Sequence, residues 1–294
     1  MATLEETVYR PPLEAKSALL EIALGCSYGK CSFCMYSNKE TPLQLVSSEM
    51  LCENLEELVS QEEQAERMFF LGGNVLAFKS RFLLDVFTLV RRYLPRVRCF
   101  SMYARADDVL RKSIAQLKEL KDAGLDILYI GVESGSAEIL KSCLKGENPD
   151  EILTALHKLD SVGIRYGLSS ILGLGGESRS RENALETGKL YSSVTPVSIR
   201  VMTLTPMKGT LLETMIKNGK FKLQSSLSIL KEELLLIQSI ECSSSCIFAG
   251  NHVSNSLHLA GILPEDKDKL IAVLNNAIQK MGDDVLQTQK IVRW

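Results

Sequence analysis

The chain has 294 residues, 45% hydrophobic and 24% charged, and its 34 basic and 36 acidic side chains leave a net charge of −2. That composition can bury a full core and argues against the one-signed footprint of a nucleic-acid binder. It also argues against a membrane span, because the apolar runs are broken by Gly, Ser or charge far below the ~18–20 residues a span needs.

The opening stretch, Met1–Lys16, has neither a basic start nor an apolar run of the signal-peptide kind, so the expected compartment is the cytoplasm. The first strand-like run is Ala18–Leu24, followed by a loop rich in cysteine. A helix is expected from about Ser48, since Leu51, Leu55 and Leu58 share one face. The second run, Met68–Leu71, closes on Gly72-Gly73 and precedes a helix carrying Phe82, Val86 and Val90. The third, Val97–Tyr103, leads to Asp107 as an N-cap, and the helix after it runs to Gly124. The fourth is Ile127–Ile130, with a helix opening at Asn148-Pro149. The fifth is Tyr166–Leu172, with a helix over Arg181–Tyr191, and the sixth is Val197–Leu204. Beyond about 205 the pattern reads as helical, with stripes Leu230, Leu234, Ile237 and Leu270, Leu274, Ile278.

Strict strand–helix alternation implies a parallel sheet with right-handed crossovers. A doubly wound sheet and a barrel both satisfy it. No repeat, low-complexity tract or long linker interrupts it.

Eight cysteines in a cytoplasmic chain do not read as a disulfide set. Three of them, Cys26, Cys31 and Cys34, crowd onto the loop after the first strand, at the strand end where α/β barrels keep their active sites. Three thiolates at this spacing reach three corners of an iron–sulfur cubane and leave the fourth iron open to a ligand. A zinc site wants a fourth Cys or His, and residues 35–51 offer none; Cys52 serves only if its helix folds back. An electron carrier without a substrate, or a zinc-bound structural module, are the competing readings.

This loop resembles that of the radical S-adenosylmethionine (SAM) enzymes, a three-cysteine loop usually spaced C-x3-C-x2-C with an aromatic before the last cysteine. Phe33 fits the aromatic position, and the first gap here is four residues instead of three. Gly72-Gly73-Asn74 is similar to the family's Gly-Gly-Glu-like motif, whose backbone holds the cofactor's amino group; Asn74 stands where an acid is usual. Gly131-Val132-Glu133-Ser134-Gly135-Ser136 resembles the segment of the branch that includes oxygen-independent coproporphyrinogen oxidases and tRNA methylthiotransferases, with Glu133 implied as the ribose-hydroxyl acceptor. Ser169-Ser170-Ile171-Leu172-Gly173 resembles the fifth-strand motif, with Ser169 where Gly is usual, and Gly173-Leu174-Gly175-Gly176-Glu177 opens the next loop. Leu204–Thr210 is similar to the stretch after strand six, so the resemblance covers about residues 18–212. Asn251–Asn255 and Pro264–Lys267 resemble a stretch of small radical SAM proteins without an assigned substrate.

The resemblance implies an α/β partial (β/α)6 TIM-like barrel over 1–212 and a helical C-terminal extension over 213–294 that packs on the barrel mouth. It implies a 4Fe–4S cluster and SAM as cofactors, a low-potential electron donor such as flavodoxin or ferredoxin, and a small-molecule substrate. It implies neither a membrane nor a nucleic acid. A reduced cluster would split SAM to methionine and a 5′-deoxyadenosyl radical, which takes hydrogen from the substrate. Leu24, Phe33 and Met35 are expected as apolar cover for the cluster, and Tyr36 as an adenine contact or plain core.

Several other side chains have two readings each. Arg105, after strand three with Tyr103, binds an anion at the mouth or forms a surface salt bridge. Arg200, within strand six, contacts SAM or substrate or pairs with a core acid. Glu177 transfers a proton or is a solvated loop acid. His252, with Asn251 and Asn255, touches substrate or caps the mouth. Cys242 and Cys246 suffice for half of a second cluster, whereas Cys99 and Cys143 read as packing residues.

Overall fold

Short runs of Leu, Phe, Ile and Met bounded by Gly or polar residues form the strands, and capped amphipathic stretches form the helices between them. In the computed structural model, which describes residues 10–37 and 43–281, the strands are β1 (Ala18–Glu21), β2 (Ala23–Leu24), β3 (Gln44–Leu45), β4 (Arg67–Leu71), β5 (Cys99–Ala104), β6 (Leu125–Glu133), β7 (Arg165–Leu172), β8 (Ser198–Thr203), β9 (Cys246–Gly250) and β10 (Leu259–Leu263). The helices are α1 (Ser48–Glu62), α2 (Ser80–Tyr93), α3 (Ala106–Arg111), α4 (Ile114–Asp122), α5 (Ala137–Ser142), α6 (Pro149–Val162), α7 (Ser180–Ser192), α8 (Leu211–Lys217), α9 (Ser226–Ser239) and α10 (Lys267–Met281). Residues 1–9, part of the stretch where no leader is expected, lie outside the described residues.

Eight strands form one sheet in the order β1-β4-β5-β6-β7-β8-β9-β10, parallel except for the last, antiparallel pair. The order never reverses, so there is no switch point of the doubly wound kind. All crossovers progress the same way and the sheet curves into an open barrel, as the family resemblance implies. The helix-facing layer carries the main core: Leu20, Met68, Phe70, Met102, Leu128, Ile130, Leu168, Ile199 and Val201 are all buried there. Phe87 of α2 stacks on Phe100 of β5 at 4.0 Å between ring centroids, and Phe70 stacks on both. Each buried Phe side chain contributes about 1.5–3 kcal/mol.

Alternation along the strands sends Phe69, Tyr103 and Tyr129 to the inner face, where their rings meet edge to face. Gly167 makes this fit: a Cβ there would stand 2.8 Å from the Tyr129 ring. Below this layer the strands' N-terminal ends are closed by Glu14, fully buried, which takes hydrogen bonds from Tyr129 Oη at 2.8 Å and Arg67 Nη2 at 3.2 Å.

Two expectations need correction. The helix expected from Asp107 to Gly124 is two helices, because Ser113 starts a fresh capping box with Gln116. Arg105, and not Asp107, is the first N-cap. The stretch 213–294 is also not helical throughout. Cys246–Gly250 and Leu259–Leu263 are five-residue apolar runs that extend the barrel sheet. Their shortness and the polar loop between them hide them from a periodicity reading.

Candidate functional site

Cys26 follows Gly25 directly beyond β2, at the C-terminal end of β1, as the strand pattern predicts. The base of its loop is closed by the antiparallel β2–β3 ladder. Above that base, three anchors shape the loop. Gly73 donates its N–H to the Gly25 carbonyl at 3.0 Å, so close that a Cβ on Gly73 would lie 2.5 Å from that oxygen and 3.0 Å from Cys26 Cβ. Asn74 accepts from the Ser27 N–H at 2.9 Å and donates to Ser27 Oγ at 2.7 Å and Asp108 Oδ2 at 2.9 Å. The third anchor is the segment after α5: Ser32 N–H donates to the Cys143 carbonyl at 2.9 Å and Tyr28 Oη to the Leu144 carbonyl at 2.9 Å. The three thiols are free of disulfides. Burial raises the Cys31 thiol and pushes the Cys34 thiol up to about 12, so their bare thiolates are disfavoured until something cationic meets them.

A buried charge cluster lies beside Cys31. Lys145 Nζ stands 3.6 Å from Glu133 Oε1 and 3.4 Å from Glu147 Oε2. Burial works to lower the Lys145 ammonium, but Glu133 and Glu147 outweigh it and its pKa moves up. Lys145 and Arg105 both favour a thiolate at Cys31 against the burial. Glu133 takes a left-handed backbone at φ 65° beyond the bulge at Gly131, which folds its carboxylate back over Gly131. Burial raises its pKa despite Lys145. Its Oε2 is buried and has no hydrogen-bond partner among the described residues.

The inner face at the next level is roomy. Gly131, Ser169, Arg200 and Ala249 lie side by side in strand register, so Arg200 is the one large side chain in that row. Its Nη1 donates to the Arg10 carbonyl at 3.1 Å, and its Nε is buried without a partner among the described residues. The loop from Asn251 to His258 is pinned to β8 by Asn255, which donates to the Val201 and Gly250 carbonyls, and by Ser254 Oγ, which accepts from Thr203 N–H. That places His252 within reach of Arg200. Burial, then Arg200 and His258, push His252 down to about 4. It is neutral at physiological pH, its Nδ1 shared with Ser254.

Several expected roles change. Arg105 is 5% exposed and fully engaged: it pairs with Asp107, donates to the Lys145 carbonyl at 3.0 Å, lies 3.6 Å from Glu147 and covers the Tyr28 ring at 4.0 Å. It locks the cysteine loop to the 143–147 segment through a buried ion-pair network, not the surface salt bridge of its second reading. Asn74 spends its amide on the cysteine loop and Asp108, in keeping with an amide standing where an acid is usual. Glu177 sits in an exposed ion pair with Lys222 at 2.7 Å. Leu24 and Met35 are exposed, and only Phe33 of the expected apolar cover packs into a cluster, with Leu204, Leu212 and Ile139 among its members. The sequence reading missed Lys145, Glu147, Tyr28 and Asp108. Lysine and glutamate in a turn before Asn148-Pro149 give no sign of burial.

The residues fit a cluster better than a single ion. Among the described residues no three His, Cys, Asp or Glu side chains converge on one metal position, and Cys52 contacts Tyr93 on the helix layer. Thiols spread along a loop suit the separate irons of a cubane, and an open buried acceptor on Glu133 suits a ribose hydroxyl pair. Residues 20–187 match the radical SAM superfamily. The chain belongs to that superfamily. Radical SAM proteins are enzymes that use a 4Fe–4S cluster to cleave SAM reductively. Its relatives include an uncharacterised protein of Methanocaldococcus jannaschii, 26% identical over 69% of this chain and 65% of that protein. Another is a tRNA-2-methylthio-N(6)-dimethylallyladenosine synthase of Fusobacterium nucleatum, 25% identical over 79% of this chain and 52% of the synthase. The chain therefore spans less than two thirds of either relative. Crystalline methylornithine synthase shares the radical SAM fold, with a TM-score of 0.56 at 16% identity over 90% of this chain and 81% of that one. Among the described residues no helix is long and apolar enough to cross a membrane.

Proposed function

We propose that Cys26, Cys31 and Cys34 ligate a 4Fe–4S cluster whose fourth iron is open to SAM, and that this cytoplasmic chain acts on a small molecule held on the inner face of the barrel. When bound, the cluster supplies the electron that splits SAM into methionine and a 5′-deoxyadenosyl radical able to take hydrogen from that molecule. A flavodoxin- or ferredoxin-like protein is the proposed source of the electron.

The chain's own residues place the partners and exclude water. Gly72 and Gly73 offer backbone at the level of Cys26, where the amino group of SAM is held by their main chain. Glu133 accepts the ribose hydroxyls, and Lys145, itself held by Glu147, keeps its carboxylate in place. Ser169, Arg200 and His252 surround the remaining space, with a neutral imidazole and a guanidinium that suit a polar substrate. The 1–212 region supplies β1 and β4–β8 of the barrel sheet, and the later region adds β9, β10 and the His252 loop that covers the mouth.

The observation that carries this reading is the docking of Gly73-Asn74 onto Gly25-Cys26-Ser27, which ties the cofactor motif of β4 to the first cysteine. Anaerobic reconstitution with iron and sulfide, then dithionite and SAM, should yield 5′-deoxyadenosine. Its absence from a cluster-loaded preparation overturns the proposal, as does a colourless protein holding stoichiometric zinc.

A further inference from the structure

Cys242 and Cys246 lie away from the mouth. β9 runs parallel to β8, so Cys246, its first residue, sits at the strand end opposite the cysteine loop. Cys246 is 2% exposed and in register with Leu263 of β10, whereas Cys242, in the turn after α9, is partly exposed. The Cys246 thiol points to the Ile247 carbonyl at 3.8 Å, and the Cys242 sulfur lies close enough for the two thiols to act on each other's ionisation. Lys267 anchors its ammonium on the Gln238 and Ile240 carbonyls at 3.0 and 2.6 Å, beside Cys242. The other charged group facing the pair is Glu265, held by Ser245. No third donor joins the two thiols among the described residues, so the pair lacks the ligands of an auxiliary cluster.

An accessible nucleophilic sulfur backed by a buried second thiol is the arrangement of thiol–disulfide exchange. We propose that Cys242 and Cys246 form a dithiol that reacts with low-molecular-weight disulfides, Cys242 attacking and Cys246 resolving. The Cys242 thiolate attacks one sulfur of the external disulfide; that S–S bond breaks, and one thiol leaves with the electron pair and takes up a proton. Cys246 then gives up its proton and attacks the Cys242 sulfur, releasing the second thiol. Two protein thiols are oxidised by two electrons in all, and one external disulfide is reduced to two thiols. Cys246, first among the causes, and Lys267 outweigh burial and Glu265 and lower the Cys242 thiol, which favours Cys242 over Cys246 as the attacking group. The site is independent of what the three-cysteine loop binds.

Trypsin releases Glu232–Lys267 as one peptide holding Cys242 and Cys246 and no other cysteine. Reduced, cluster-loaded protein is exposed to oxidised glutathione, quenched by alkylation and digested. The peptide should appear about 2 mass units lighter and unalkylated, the signature of an internal disulfide. Cys246→Ser should trap a glutathione adduct on Cys242, and Cys242→Ser should leave Cys246 unmodified. In the wild-type protein, which tests the idea even if a variant fails to fold, Cys242 should be alkylated at lower pH than an ordinary cysteine thiol and ahead of Cys246. A peptide that stays doubly alkylated while free cysteine oxidises overturns the proposal. So does an adduct forming on Cys246 in Cys242→Ser as fast as on Cys242 in Cys246→Ser.

Discussion

Asn74 donates from Nδ2 to Asp108 Oδ2 at 2.9 Å, and both side chains are buried. The contact explains why an amide occupies the position where the family usually has an acid. Asp108 already supplies a carboxylate, bonded to Arg105 N–H and paired with Arg111, and burial raises its pKa in spite of these partners. Asn74→Asp would put two buried carboxylates in contact, at a cost on the order of 3 kcal/mol when both are charged. A raised carboxyl pKa means the fold tolerates the protonated form better. The penalty should therefore be smallest at acid pH and grow as pH rises through the raised value. Thermal unfolding of the metal-free variant should show a larger drop in Tm at pH 8 than at pH 5; equal drops would count against this account.

Gly73→Ala tests the contact with Cys26. The added methyl must displace Gly25 O, which is backbone and cannot swing aside, so the cysteine loop has to shift. The strand itself can stay, because Phe69, Phe70 and their neighbours still pack. The far-ultraviolet spectrum should be retained while iron and sulfide loading weaken roughly ten- to hundredfold. Normal loading in the folded variant would show that the close approach is incidental.

With Glu133 as the proposed ribose acceptor, its carboxyl should govern the pH dependence of SAM binding. Burial raises its carboxyl pKa, so as pH falls it takes a proton sooner than an ordinary glutamate and can no longer accept two hydroxyl hydrogens. SAM affinity should decline on the acid side, beginning above the usual carboxylate range. Glu133→Gln should lose about 1.5–3 kcal/mol of binding and flatten this dependence. Calorimetric titration of cluster-loaded protein across pH measures both; an unchanged slope in the variant would remove Glu133 from the binding site.

The strand–helix alternation was legible because its core strands are short, mostly apolar runs and its helices announce their ends, as Asn148 with Glu151 does in a reciprocal cap; the choice of a barrel over a doubly wound sheet came from the family resemblance. The cysteine loop was legible because three thiols in nine residues have few uses. The charged surroundings were not. Lys145 and Glu147 look like solvated turn residues until Leu144 and Gly146 adopt left-handed backbone and turn them beneath Tyr28 and Arg105. Arg105 looked like a ligand for an anion because the sequence cannot show that Asp107, Glu147 and the Lys145 carbonyl, two of them some 40 residues on, already claim it. Burial of charge is decided by contacts distant in sequence, which no local pattern encodes.

Arg200 and His252 provide the final test, because they come from different elements and meet only if the mouth is built as described. Burial is the largest cause that holds His252 down to about 4, with Arg200 next and His258 third. Arg200→Met removes the second cause and leaves the first. The His252 midpoint should therefore rise from about 4 without reaching the unperturbed ~6.5, and His258→Gln should move it in the same direction by less. The chain has three histidines, so their ring signals can be followed individually by NMR across pH. The sign follows from charge: a neighbouring cation disfavours the imidazolium, and removing it allows protonation at higher pH. It also bears on catalysis. A histidine that stays neutral down to about pH 4 can accept a proton or a hydrogen bond from substrate at pH 7 but brings no charge of its own. The cation beside His252 is Arg200. Should the His252 midpoint stay fixed when Arg200 is removed, the two side chains do not share the inner face, and the substrate space drawn around them has to be placed elsewhere.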